Sequence, residues 1–342
     1  MKAAVYRGIG QISVEEVEKP TVKPDEYLIE VLCSGLCGTD IKTYKQGHRM
    51  FQPPCVLGHE FCGQIVEAGA RMNQALVGRK VVCAPYIGCG RCKLCRSGFE
   101  ELCHRKVGTD GAFTEYLTVC SDLAQGGMVL LEDDADIRQM TLTEPFACIL
   151  NSMEKSQVKM GQNALVIGAG PMGLLHIAGL KLFGADHILV TEYNESRGAI
   201  AAQMGAHVIN PSGCQNLREE IYDALDGSSL DQIFVCVGME QAVEEAMTLC
   251  SEGTTVNIFG GLKNGSSITI DPNIIHYSEV KLVGTFGFAS HHFLESARLL
   301  SKGKVNLSGL ITNVYSHEDA AQAFEMAAHP TPDVVKVLIQ MK

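Results

Sequence analysis

The sequence of 342 residues has no apolar stretch of membrane-spanning length and is short of basic residues. A membrane helix needs about 20 consecutive apolar residues, and no run here approaches that length. Lys and Arg total 28 against 39 Asp and Glu, a formal charge of −11, which disfavours nucleic acid or an anionic membrane as the main partner. Residues Met1–Arg7 are too few and too polar for a signal peptide and predict a strand instead. We therefore expect a cytoplasmic protein.

The sequence also lacks repeats, low-complexity segments and flexible linkers. Its length predicts about two domains, and its apolar fraction of 46% is ordinary for a globular protein. It is rich in cysteine, with fourteen residues. In a reducing cytosol that number predicts metal ligands and small buried side chains, and it disfavours a disulfide framework.

Four of the cysteines form a C-x₂-C-x₂-C-x₇-C run, made of Cys89, Cys92, Cys95 and Cys103. An all-sulfur set at this spacing favours a closed structural zinc site, which leaves no position for substrate. An iron–sulfur cluster is a weaker alternative, because the bacterial ferredoxin pattern has a three-residue final gap followed by proline, and here His104 follows a gap of seven. Paired disulfides are disfavoured by the expected compartment.

The hydrophobic pattern changes near residue 145. Before it lie short β-like runs such as Tyr27–Leu32, Gly63–Val66 and Arg79–Cys83, which predict a small barrel or sandwich. After it, apolar runs alternate with stretches long enough for crossover helices, and this predicts a doubly wound parallel sheet. The runs are Ala164–Ile167, Ile188–Val190, Ile233–Val237, Val256–Phe259 and Lys281–Val283. The tail from about residue 289 holds a helix-like segment, His292–Leu300, and a strand-like one, Val335–Ile339, which we expect to rejoin the first domain.

A glycine-rich turn, Gly168-Ala169-Gly170-Pro171-Met172-Gly173, follows the first of these runs and opens a helix-like stretch. The glycines permit a tight turn and close approach of the backbone to a pyrophosphate at the helix N-terminus. Glu192 follows nineteen residues after the last glycine and can bind the adenosine ribose. Its charge favours NAD over NADP, although Arg197 could reach a 2′-phosphate. A glycine turn needed only for packing is the alternative.

A second set of candidate metal ligands is of mixed chemistry. Cys37-Gly38-Thr39-Asp40, Gly58-His59-Glu60 and Glu144-Pro145 lie in separate segments. Sulfur, nitrogen and oxygen ligands from separate loops are typical of catalytic zinc, which keeps an exchangeable position. Each residue alone could be a buried thiol, a core histidine or an ordinary carboxylate. Their joint occurrence before a dinucleotide fold favours a metal site.

In its order of motifs the whole chain resembles the medium-chain zinc-dependent alcohol dehydrogenase superfamily. It is most similar to the polyol (sorbitol-type) and threonine dehydrogenases, which have Glu at the position of Glu144 where other alcohol dehydrogenases use a second cysteine. The resemblance implies an α/β protein with a GroES-like β-barrel catalytic domain at 1–145 and 289–342. It also implies a Rossmann NAD-binding domain at 146–288, two zinc ions per chain, and a homodimer or homotetramer.

The resemblance also implies residue roles. Cys37, His59 and Glu60 correspond to catalytic zinc ligands, and Glu144 would bind the metal directly or through its water. Thr39 would hydrogen-bond the substrate oxygen, and Asp40 would orient His59. The implied cofactor contacts are Gly168, Gly170, Pro171, Met172, Gly173, Glu192, Arg197, Val237, Gly238, Phe259, Gly260, Thr285 and Phe286.

The implied activity is hydride transfer between NAD(H) and a secondary alcohol of a polyol, sugar alcohol or polyol phosphate. Lys42 stands where many relatives have a proton-relay histidine, and residues 285–288 lack the Arg-Tyr pair of sorbitol dehydrogenases. Lys42, Lys45, His48 and Arg49 could bind an anionic substrate group or form an ordinary solvated loop. Threonine-type or aminocyclitol oxidation is an alternative. A catalytically silent NAD-binding protein is disfavoured by the intact ligand set.

Overall fold

Eighteen strands and twelve α-helices form two compact units in the computed structural model, which describes residues 1–341. One unit contains Met1–Ala147 and the chain from Phe288 onward, and the other contains Cys148–Gly287. Within the described residues, no helix has the combination of length and apolar character that a bilayer span requires.

The first part of the chain is built mainly from short strands. They are β1 (Lys2–Gly8), β2 (Gln11–Glu16), β3 (Glu26–Gly35), β4 (Cys55–Val56), β5 (Glu60–Ala68), β6 (Lys80–Cys83), β7 (Tyr86–Ile87), β8 (Val107–Gly108), β9 (Tyr116–Cys120) and β10 (Met128–Leu130). Its helices are α1 (Gly38–Gln46), α2 (Lys93–Arg96), α3 (Ser121–Gly127), α4 (Ile137–Met140) and α5 (Thr143–Lys155), within which the division of the chain falls.

Strand and helix then alternate. The strands are β11 (Ala164–Ile167), β12 (Ile188–Thr191), β13 (His207–Ile209), β14 (Gln232–Val235), β15 (Thr255–Ile258) and β16 (Lys281–Gly284). The helices are α6 (Pro171–Leu182), α7 (Glu195–Gln203), α8 (Leu217–Ala224), α9 (Glu240–Thr248) and α10 (Pro272–Tyr277). The last elements are α11 (Ser290–Ser301), β17 (Ile311–Ser316), α12 (Ala320–Ala328) and β18 (Lys336–Gln340).

In the first unit, β3 is the central strand of the main sheet. The sheet order is β10-β6-β5-β3-β18-β17, and β9 also pairs with β3. Eight of the ten residues of β3 are buried, because strands and helices surround it. β18 joins β3 in antiparallel register, with Leu338 opposite Gly35, so the tail does rejoin the first domain. A smaller sheet has the order β2-β1-β4, and β7 pairs with β8.

In the second unit, six parallel strands are arranged in the order β13-β12-β11-β14-β15-β16. β11, β12 and β14 are buried at every position, as expected for strands covered by helices on both faces. The chain leaves β11 towards β12 on one side and later returns to β14 on the other. This reversal is the point in an open α/β sheet where ligands bind, beyond the carboxyl ends of the strands. The predicted α/β fold class, with a GroES-like part and a Rossmann part, is confirmed.

Candidate metal centre and dinucleotide site

Three candidate ligands converge at one end of the β3–β5 pair. Cys37 is the N-cap of α1, just after β3, and His59 and Glu60 lie at the start of β5. Because β3 and β5 pair antiparallel with Gly35 opposite Glu60, the two ligand segments meet at the same sheet edge. One ligand atom each from Cys37, His59 and Glu60 lies within 4.8 Å of the others.

Asp40 holds the two ligand segments together. It is fully buried, and its carboxylate accepts hydrogen bonds from the backbone N–H of Cys37 at 3.0 Å and of Gly58 at 3.2 Å. Its Oδ1 also lies 3.6 Å from Nδ1 of His59. Burial raises the pKa of Asp40, and the nearby His59 and the two N–H groups counteract part of that rise.

Glu60 is paired with a buried lysine from the far end of the chain. Nζ of Lys336 lies 2.5 Å from Oε2 of Glu60 and donates to the carbonyl oxygen of Leu36 at 3.0 Å. Burial disfavours the charged amine, but Glu60 and Cys37 reverse that effect, so the pKa of Lys336 is raised. Within residues 1–341, neither oxygen of Glu60 accepts a hydrogen bond of regular geometry, although both are buried. Because Oε2 faces the ammonium group, Oε1 is the oxygen that keeps free acceptor positions in the interior.

Acidic groups surround His59 and Glu144. Burial lowers the pKa of His59, yet Asp40 and Cys37 outweigh burial and raise that pKa well above its ordinary value. Burial raises the pKa of Glu144 to about 7, with His59 and Glu60 as charged neighbours. Among the described residues, Glu144 is not in the group whose ligand atoms lie within 4.8 Å of one another. One sulfur, one nitrogen and one carboxylate donor that converge within 4.8 Å of one another fit a zinc ion.

The four-cysteine run also converges. The Sγ atoms of Cys89, Cys92, Cys95 and Cys103 lie within 4.8 Å of one another. Backbone N–H groups donate to two of these sulfurs, from Cys95 to Cys92 at 3.4 Å and from Cys89 to Cys103 at 3.4 Å. The N–H of Arg91 is the main cause that lowers the pKa of Cys89 to about 6. All fourteen cysteines are free, so no pair in the run forms a disulfide. The four thiols fit a second, all-sulfur zinc ion.

The glycine-rich turn takes a conformation that side chains would block. Gly168 follows β11 with a φ of +94°, and a Cβ on Gly173 would lie 1.8 Å from the carbonyl oxygen of Gly168. Gly170 is the N-cap of α6, and Pro171 occupies its first turn. The backbone N–H groups at this helix start therefore remain directed at any anion beyond the carboxyl end of β11. Met172 lies in the same first turn.

Glu192 lies directly after β12 and is bound to the glycine-rich turn. Its Oε2 accepts the N–H of Ala169 at 2.7 Å, and its Oε1 accepts the N–H of Asn194 at 2.8 Å. Arg197 lies in the first turn of α7, and its Nε is buried with no hydrogen-bond partner among the described residues. A carboxylate and a free guanidinium N–H thus flank the position expected for the adenosine ribose.

The remaining predicted cofactor contacts lie past the ends of β14, β15 and β16. A Cβ on Gly238 would be 2.5 Å from the carbonyl oxygen of Gly261, and one on Gly260 would be 2.5 Å from the backbone of Val237. The segments after β14 and β15 therefore touch, and glycine is required at both positions. Phe259 follows β15, and Thr285 and Phe286 follow β16.

Comparisons with known proteins give matches along most of the chain. Residues 23–125 match the family model "Alcohol dehydrogenase GroES-like domain", and residues 171–302 match "Zinc-binding dehydrogenase". The chain is 30% identical to sorbitol dehydrogenase of Bacillus subtilis, across 99% of this chain and 97% of the relative. It is 33% identical to L-threonine 3-dehydrogenase of Pyrococcus horikoshii, across 94% of each. A Sinorhizobium meliloti protein solved with NADP has a TM-score of 0.90 and 30% identity, across 99% of both chains.

The chain belongs to the zinc-binding alcohol dehydrogenase family. The resemblance inferred from the motifs, to the branch that contains polyol and threonine dehydrogenases, is thereby confirmed. This zinc-binding alcohol dehydrogenase is an oxidoreductase that acts on CH–OH groups with zinc and a nicotinamide dinucleotide.

Two residues of the basic cluster of this alcohol dehydrogenase make contacts with other residues of the chain. Nζ of Lys45 donates to the carbonyl oxygen of Ala328 at 3.1 Å, and the ring of His48 packs against Phe51. Lys42 and Arg49 are exposed, as is Thr39 at the start of α1. Lys42 and Lys45 lie on α1, so the loop interpretation is wrong for these two residues, and anion binding by the cluster stays a prediction.

Two residues beside the candidate zinc ligands are not part of any of the sequence motifs. Lys336 supplies the positive charge beside Glu60. Gly35 leaves room for the Glu60 carboxylate, since a Cβ on residue 35 would be 2.2 Å from Oε2 of Glu60. A signal for Lys336 was available, because it is the one charged residue in the apolar run 334–339. A lysine in a buried strand requires an anionic partner. Nothing in the sequence around Gly35 marks its role.

Proposed function

We propose that the protein oxidises a secondary hydroxyl group of a polyol, sugar alcohol or polyol phosphate with NAD⁺, and reduces the corresponding ketone in the reverse direction. The observation that carries the proposal is the convergence of Cys37, His59 and Glu60. Oε1 of Glu60 is buried and has no hydrogen-bond partner among residues 1–341. The similarity to a sorbitol dehydrogenase over nearly the whole chain supports the polyol class.

In this proposal Cys37, His59 and Glu60 hold the catalytic zinc, and Glu144 binds it directly or through water. When bound, the ion supplies Lewis acidity that makes an alcohol oxygen more acidic and polarises a ketone. Asp40 keeps the imidazole of His59 and the Cys37 N–H in place through its contacts with both. Thr39, exposed at the start of α1, would hydrogen-bond the substrate oxygen and pass its proton towards solvent. A bound nicotinamide would supply the acceptor for the carbinol hydride.

The proposed cofactor is NAD. The pyrophosphate would bind the N–H groups at the start of α6. Glu192 would accept hydrogen bonds from the ribose hydroxyl groups and repel a 2′-phosphate. The similarity to a protein solved with NADP, and the unpartnered Nε of Arg197, make NADP the competing choice. The four cysteines 89, 92, 95 and 103 would hold the structural zinc, and we propose a homodimer or homotetramer, to be checked by light scattering.

Oxidation of L-threonine or a related hydroxy-amino acid is the second candidate. The relative of 33% identity is named L-threonine 3-dehydrogenase, which favours it. The absence of an Arg-Tyr pair from Thr285-Phe286-Gly287-Phe288 also argues against sorbitol itself as the substrate.

The test combines metal analysis with an NAD-linked activity screen over polyols, polyol phosphates, aldonic acids and hydroxy-amino acids. We expect two zinc ions per chain and turnover of a polyol-type substrate. Cys37→Ser should lose one zinc and all activity, whereas its matched control Cys95→Ser should lose the other zinc and keep the chemistry. Turnover of threonine alone would replace the first candidate by the second. One zinc per chain with no turnover of any alcohol would refute both.

A further inference from the structure

Two buried asparagines of the second unit hold the turn that follows its last strand. Nδ2 of Asn151, on α5, donates to the carbonyl oxygen of Gly287 at 2.9 Å and lies 3.4 Å from that of Phe286. Nδ2 of Asn257, in β15, donates to Oγ1 of Thr285 at 2.8 Å. Three consecutive residues, Thr285–Gly287, are thus fixed by two side chains that come from different elements.

The conformation of this turn departs from that of β16. Gly287 has a φ of +61°, in the left-handed region, and the side chain of Phe286 is 68% exposed. The backbone N–H of Thr285 donates to the carbonyl oxygen of Ile258 at a long 3.3 Å. The two asparagines therefore supply hydrogen bonds at the point where the regular sheet ladder weakens.

Each of the two asparagines leaves one buried side-chain oxygen without a hydrogen bond in the described part of the chain. Each is fully buried, and in each the Oδ1 atom has no hydrogen-bond partner among residues 1–341. An unsatisfied buried acceptor costs about 1–3 kcal/mol. Each side chain bonds the turn through Nδ2 and leaves its Oδ1 unsatisfied, so two such asparagines at one turn indicate a constraint on the conformation of that turn.

The position of the turn identifies which end of a dinucleotide it would meet. In the sheet order, β12 lies on one side of β11, and β14, β15 and β16 lie on the other. The pyrophosphate-binding turn follows β11, and Glu192 for the adenosine ribose follows β12. The second nucleotide must then extend past the carboxyl ends of β14 to β16. The turn Thr285–Gly287 follows β16 and lies on that nicotinamide side.

We propose that Asn151 is a positioning residue for the nicotinamide end of the cofactor, and that it acts by fixing the backbone of Phe286 and Gly287. Asn257 does the same for Thr285. This inference rests on the proposed cofactor site, because it takes the turn after β16 to contact the nicotinamide. It adds to that site two residues that hydrogen-bond this turn and are not themselves predicted cofactor contacts.

The test compares two ligands that differ only at the nicotinamide end. In Asn151→Ala, the dissociation constant for the reduced dinucleotide that the wild type binds should rise about tenfold, the loss of roughly one buried hydrogen bond. The dissociation constant for ADP-ribose, or its 2′-phosphate for NADPH, should stay unchanged. Both are measured by titration calorimetry on the zinc-loaded full chain, so no turnover is required.

Asn163→Ala is the matched control. Asn163 is also a buried asparagine, and its Nδ2 donates to the carbonyl oxygen of Ser229 at 2.9 Å, but it lies before β11 at the amino end of the sheet. It should lower the melting temperature without changing the ratio of the two dissociation constants. Asn151→Ser and Asn257→Ser give the same comparison if Asn151→Ala does not fold.

Equal weakening of both ligands by the Asn151 variants, or weakening of neither, would overturn the inference. So would a wild-type protein that binds ADP-ribose as tightly as the dinucleotide. A selective loss of dinucleotide affinity together with no turnover of any polyol would leave the inference standing and refute only the proposed substrate class.

Discussion

Removal of the Lys336 amine is expected to destabilise the metal-free protein and to strengthen its binding of zinc. Lys336→Met keeps most of the stem but removes the ammonium group 2.5 Å from Glu60. Glu60 then stays buried beside Cys37, Asp40 and Glu144 without this counter-charge. Breaking a buried ion pair by removing one partner costs about 3–5 kcal/mol. For a unit of about 200 residues, that loss lowers the melting temperature by about 10 °C.

Zinc should reverse part of this loss, because the ion supplies positive charge at the same donor atoms. If half of a loss of about 4 kcal/mol is recovered on binding, the zinc dissociation constant falls about thirtyfold relative to wild type. The variant would thus be less stable than wild type without metal and would gain more stability than wild type when zinc is added.

The assay is scanning calorimetry of chelator-treated protein, followed by zinc titration against a competing chelator. Lys336→Arg keeps the charge and should remain close to wild type in both measurements. Lys80→Met removes a lysine of the same unit whose Nζ donates to the backbone carbonyl of Asp133. This variant should change neither the melting temperature of the metal-free protein nor its zinc affinity by much. Weaker zinc binding by Lys336→Met, with an unchanged melting temperature of the metal-free form, would refute the reasoning.

Three further variants test the other sites. Glu192→Ala should shift the NAD/NADP ratio of kcat/KM towards NADP by about ten- to a hundredfold, because it removes charged hydrogen bonds to the ribose, and an unchanged ratio would contradict the ribose assignment. Cys95→Ser should lower the melting temperature and the zinc content with little change in kcat, and a fall in kcat at full zinc content would count against a structural role. Burial lowers the pKa of His176 to about 4, below the ordinary 6.5, so its stabilising effect is present above pH 6.5 and is lost as the pH falls towards 4. His176→Gln should therefore remove about 2 kcal/mol of the stability difference between pH 6.5 and pH 5, measured by urea unfolding, and an identical pH slope would argue against this source.

The strands of the nucleotide-binding unit could be predicted because burial on both faces produces continuous apolar runs. The run Ala164–Ile167 coincides with β11, and four others overlap β12, β14, β15 and β16. β13 was missed because it is an edge strand of three residues, with His207 exposed and Ile209 buried. Its sequence has too little apolar character to be told from a loop.

The convergence of the candidate ligands Cys37, His59 and Glu60 could be predicted because each segment carries its chemistry in a few neighbouring residues, such as Cys37 to Asp40. What could not be predicted are contacts made by pairing across the sheet. The approach of Lys336 to Glu60 depends on β18 joining β3, and the room for it depends on Gly35 lying opposite Glu60. The hydrogen bond from Asn151 to Gly287 likewise joins residues far apart in sequence. Neither pairing leaves a local pattern.

The position of Lys336 in the last strand also sets an order of events during synthesis. Cys37, His59 and Glu60 leave the ribosome about 280 residues before β18, which is on the order of half a minute at typical rates of translation. Throughout that interval the central sheet lacks the strand next to β3, and the Glu60 carboxylate lacks its ammonium partner. The nascent chain therefore leaves the candidate zinc ligands without the Lys336 ammonium group until the C-terminal strand docks. If these residues bind zinc as proposed, an ion that arrived earlier would meet them without the competing lysine, so metal loading and completion of the sheet would be coupled in time.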